Sequence, residues 1–119
     1  MPIHRHKDTS ETCVCVRGHF EEYLYGFTEI RSDGTQDPDS FGIVETIDMF
    51  PGGPFLNIEK GQWHSLKCLE SGTVLLEAKD GGYRPLEEDE VMERELGLRG
   101  LEKECGSLSG SFLCLDGDA

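Results

Sequence analysis

The chain has 119 residues and a formal net charge of −13, which allows one core but not two and argues against nucleic acid or an anionic membrane as partner. With 36% hydrophobic residues, 15 Gly and 5 Pro, it reads as short strands joined by many turns rather than long helices. No secretory apolar core or membrane-length run is present, so a cytoplasmic location is expected.

The chain opens on Pro2 to Lys7, the end of a strand carrying His4 and His6 on one face, with Arg5 and Lys7 on the other. Four residues of turn composition lead to Glu11, and residues 11–17 alternate, with Glu11, Cys13 and Cys15 on one face and Val14 and Val16 on the other. A hairpin there brings one carboxylate beside two imidazoles, a donor set that suits a borderline divalent metal. The five Cys are odd in number and form no C-x-x-C pair. Cys13 and Cys15 would stand about 6.5–7 Å apart on a strand face, at the limit for a disulfide, so reduced thiols are expected.

Phe20 to Ile30 alternates Tyr23, Tyr25 and Phe27 as an aromatic strand, closed as a hairpin by Ser32-Asp33-Gly34. A polar loop over 35–40 leads to short strands at 43–47 and 55–58, separated by Pro51-Gly52-Gly53-Pro54. The turn Glu59-Lys60-Gly61-Gln62 presents Trp63 and His64; His64, Leu66 and Cys68 share one face, Trp63 and Ser65 the other. Thr73 to Lys79 reads as the last clear strand. After Pro85 the acidic run Glu87 to Glu95 has the first-turn acids of a short helix, and residues 101–119 show no period. Residues 1–31 carry five acids against four bases and residues 80–119 eleven against four. The expected division is therefore a β domain over 1–85 and an acidic helical or irregular extension over 86–119.

The spacing His4-x-His6, four residues, Glu11, six residues, Gly18 resembles the first motif of the cupins. Gly53, Glu59, Gly61 and His64 resemble the second, with Glu59 where Pro is usual and Cys68 where Asn is usual. The phrases HRHKDTSET and KGQWHSLKCLESGTVLLEAKDGGYRP resemble the WbuC-like cupin metalloproteins, often found with polysaccharide-biosynthesis genes, over roughly residues 2–90. The resemblance implies an all-β small antiparallel barrel or jelly roll. It also implies a divalent metal (Fe, Mn, Ni, Zn or Cu) held by His4, His6, Glu11 and His64. It implies a small-molecule ligand too, a sugar derivative being in line with the relatives, and either isomerase, epimerase or dioxygenase chemistry or a non-catalytic binding or sensing role.

Further candidates line the expected interior. Cys13, Cys15 and Cys68 are pocket-lining thiols or small buried apolar groups. Tyr25, Trp63 and Tyr83 are stacking residues or core. Glu77 is a second acid/base if it faces inward, and a surface partner of Lys79 or Arg84 if it does not. Cupins carry strands ahead of the first motif, and here the first motif begins at residue 4. An open edge at that strand is expected to be covered by a second copy, giving a homodimer.

Overall fold

The structure, a computed structural model, describes residues 1–82 and 84–92 with side chains, and the backbone of 105–108 and 111–114. Among the described residues there are ten strands: β1 (Ile3–His4), β2 (Glu11–Arg17), β3 (Phe20–Phe27), β4 (Phe41–Met49), β5 (Phe55–Ile58), β6 (Trp63–Cys68), β7 (Val74–Lys79), β8 (Val91–Met92), β9 (Cys105–Leu108) and β10 (Ser111–Cys114). They form two five-stranded sheets, ordered β4-β3-β6-β1-β8 and β5-β2-β7-β10-β9, and every pair is antiparallel. Among the described residues the strands close no barrel. The all-β expectation holds as two facing sheets.

The core between the sheets draws on both. Phe20, Met49, Leu66 and Cys68 come from the first sheet, and Cys13, Cys15, Ile58 and Leu75 from the second. The alternation read from β2 and β6 is the observed one: Glu11, Cys13 and Cys15 are buried, as are His64, Leu66 and Cys68. A second apolar cluster of Ile3, Tyr23, Tyr25 and Phe41, flanked by Phe27, Trp63 and Met92, covers the other side of the first sheet. Phe41 stacks on Tyr25, and Arg5 lies over the Trp63 ring. The β3–β4 hairpin pairs Phe27 with Phe41, and its long loop folds back where the Gly34 N–H donates to the Arg31 carbonyl.

Three expectations change after Pro85. The helix is replaced, within the described residues, by a single 3-10 turn at Glu88–Glu90 and then β8. The acids do mark a helical start, but the ladder with β1 captures Val91 and Met92, as tertiary pairing overrides local propensity. Residues expected to be irregular form the β9–β10 hairpin, and β10 pairs with β7. Strand pairing therefore crosses the boundary expected at residue 85 on both sheets. The edge of β1 is covered by the chain itself, because β8 lies on it opposite β6. The reason for a homodimer drawn from an open β1 edge is lost. Exposed apolar groups lie instead on the outer face of the second sheet, where Phe55 (74% exposed) and Leu76 (49%) flank Val14 in register.

Candidate metal centre

Three elements bring the site together. β1 and β6 are neighbours with His4 opposite His64, and β2 supplies Glu11 from the facing sheet. The turn before β6 completes the arrangement: the Gly61 N–H donates to the His6 carbonyl at 2.8 Å, so the second motif is tied to the first through its backbone. Gly61 has φ of 79°, a conformation suited to glycine.

The ligand atoms of His4, His6 and His64 all lie within 4.8 Å of one another. His4 and Glu11 are 6% and 3% exposed and His64 3%, while His6 sits at the more open side. Each buried ring is aimed by a carbonyl: the His4 Nδ1–H donates to the Pro2 oxygen at 2.9 Å and the His64 Nδ1–H to the Gln62 oxygen at 2.8 Å. That fixes the tautomer and leaves both Nε2 lone pairs facing inward. Glu11 Oε1 is 3.1 Å from His64 Nε2 and Oε2 is 3.9 Å from His6 Nε2. None of these contacts is aligned as a hydrogen bond. His64 Nε2 and both Glu11 oxygens are buried and without a hydrogen-bond partner. Such atoms are costly to leave unmet, and a cation among them would satisfy all three.

The electrostatics suit that occupant. Burial, with His64 beside it, pushes the His4 pKa down to about 3, and burial lowers His6 as well. Both imidazoles are therefore neutral donors at pH 7. Burial raises the Glu11 carboxyl, but His64, His6 and Lys79 outweigh it and bring its pKa down to about 2. Lys79 is the cross-strand neighbour of Glu11, with its Nζ 3.8 Å from Oε2.

The other candidates fall in different places. Glu77 is only half-buried and lies inward beside Glu11, opposite Cys13 in register; burial and the Glu11 charge push its pKa up to about 8. Arg84 is engaged elsewhere, with Glu90 and Asp8. Cys13 and Cys15 are free and buried. Burial raises both thiols, Cys13 with help from Glu22, Glu77 and Glu11, so neither is a thiolate and both serve as small apolar packing groups. Cys68 is fully buried but disulfide-bonded, so the expectation of reduced cysteines holds for the first two and fails for the third. Tyr25 is buried away from the metal ligands, in the second cluster on the other side of the first sheet, with its hydroxyl 2.8 Å from that of Ser65. Trp63 packs there too, and Tyr83 lies outside the described residues.

Glu22 was not anticipated. It is 2% exposed with Oε2 unpartnered, and burial, reinforced by Glu77 and Glu11, holds its pKa well above the carboxylate range. The folded state thus keeps a proton that the unfolded chain releases, so stability is lost as pH rises above the ordinary carboxylate value. Glu22→Gln is expected to stabilise the metal-free protein at pH 7. The advantage should vanish below about pH 4; urea titrations at the two pH values check it, and an unchanged midpoint at pH 7 would count against the assignment.

Compared with protein-family models, curated proteins and solved structures, the chain gives no match.

Proposed function

We propose that the chain is a small metalloprotein of cupin type that holds one divalent transition metal through His4, His6, His64 and Glu11. The observation that carries this reading is the convergence of unmet, buried acceptor atoms on one point, His64 Nε2 and both Glu11 oxygens, beside two further imidazoles. When bound, the metal supplies a Lewis acid that polarises a carbonyl or hydroxyl oxygen. The chain's own residues do the rest. The Pro2 and Gln62 carbonyls orient the His4 and His64 rings, and Glu11 offsets the charge. Glu77, with a pKa of about 8, is the group best placed to hold or release a proton near neutral pH.

Isomerisation or epimerisation of a small molecule fits these parts, with a sugar derivative as the substrate class in line with the WbuC-like resemblance. A second reading, a module that binds without turnover, draws support from the dense interior: Phe20, Met49 and Cys68 are wholly buried in the core shared with Cys13. A homodimer through the Phe55–Val14–Leu76 row belongs to the proposal, and light scattering at twice the chain mass would support it.

Metal analysis of purified protein tests the central reading. About one equivalent of metal per chain is expected, and none in His6→Ala. Wild-type stoichiometry in folded His6→Ala would sink the ligand assignment.

A further inference from the structure

Of the four proposed ligands, His6 alone lies outside a strand, since β1 ends at His4. The backbone on either side of it is held by long-range hydrogen bonds that end on one residue. The Arg5 N–H donates to the Glu90 carbonyl at 2.9 Å, and the Lys7 N–H donates to Glu90 Oε2 at 2.7 Å. Glu90 therefore grips the chain on both sides of His6. It is itself fully buried. Its carboxylate also accepts from Arg84 Nη1 at 2.6 Å, Arg84 Nη2 at 2.9 Å and the Glu87 N–H at 2.9 Å.

A buried carboxylate is tolerated where its lone pairs are met by charged and main-chain donors, and here both oxygens are. Around it, Lys7 Nζ reaches Glu87 at 3.0 Å and Asp89 at 2.8 Å, and Arg84 reaches Asp8 at 3.0 Å. These outer pairs are exposed and contribute little. The specific geometry resides in Glu90.

We propose that Glu90 is a positioning residue of the metal centre: it sets the backbone of residues 5–7, and with it the His6 ring, so that metal loading and docking of segment 84–92 are coupled. This rests on the reading of His6 as a ligand. Coupling is reciprocal, so bound metal must in turn hold segment 84–92 in place.

Co2+ titration of the full chain tests this by affinity and by the cobalt absorption spectrum. Glu90→Gln keeps the shape but sets an amide N–H2 against a main-chain donor. It is expected to lower Co2+ affinity by about 10–100-fold, the usual effect of losing an outer-shell partner, and to shift the spectrum toward that of His6→Ala. Asp89→Asn, which removes only an exposed pair with Lys7, should leave both unchanged. Wild-type affinity and spectrum in folded Glu90→Gln would overturn the inference and leave the metal reading standing. No Co2+ binding by the wild type would overturn both. Should Glu90→Gln fail to fold, hydrogen exchange of the wild type with and without Zn2+ decides. Added protection of the Arg5 and Lys7 amides and of residues 87–92 supports the coupling; unchanged protection at those amides overturns it.

Discussion

His64→Ala is expected to remove metal binding altogether at micromolar metal. His64 stands in the middle of the first sheet, with His4 opposite on β1 and Leu24 opposite on β3, and its Nε2 is one of the buried atoms left without a partner. The inward positions next to it on β6 and β3 are filled by Leu66 and Leu24, which offer no ligand atom. Outer-shell changes alone lower metal affinity by about 10–100-fold, so losing this ligand should exceed about a hundredfold. Competition with a chromophoric chelator reads the affinity. The rise in melting temperature that a tight ligand confers should also disappear. A variant that melts with the same zinc-dependent rise as the wild type would remove His64 from the site.

Among the described glycines, Gly18 is expected to give the most destabilising change to alanine. Gly18 joins β2 to β3 with φ of 88°, and an added Cβ would run into Thr73 Oγ1 and stand 2.7 Å from Thr73 Cα. Thr73 cannot retreat. It is fully buried, and its hydroxyl donates to the Glu70 carbonyl at 2.7 Å and accepts from the His19 N–H at 3.2 Å. The left-handed backbone alone contributes about 1–3 kcal/mol of strain for a non-glycine residue, and the clash with a buried backbone should bring the total to about 3 kcal/mol or more. Gly34 gives the matched control: it has the same φ of 88° with nothing within 4 Å of an added Cβ. Gly34→Ala should therefore lose only about 1 kcal/mol. Equal urea midpoints for the two variants would show that the Thr73 contact does not matter.

The inner half of the site could be read from the sequence because period-two alternation and a paired His spacing are local signals. His4, Glu11 and His64 needed only the right faces of β1, β2 and β6. Glu22 escaped because β3 is buried on both faces: Tyr23 and Tyr25 took the aromatic alternation, and the inward set of Phe20, Glu22 and Leu24 had no separate signature. Glu90 escaped for another reason. In sequence it is one acid within an acidic run, and only Arg84, Lys7 N–H and Glu87 N–H, which converge through tertiary structure, distinguish it. A two-residue strand such as β8 is too short to carry any periodicity, so its pairing with β1 follows from the fold alone.

The place of β1 between β6 and β8 also dictates an order of events during synthesis. His4 and His6 are made more than eighty residues ahead of their neighbours Val91 and Glu90. At about 5–20 residues per second, the segment that holds them waits seconds for the strand that seats it. Pairings so distant in sequence form late, since loop closure must precede the contacts that offset its entropy. Metal present during translation therefore meets a segment whose two imidazoles are unplaced, and the ion should enter after β8 has paired with β1 rather than nucleate the fold.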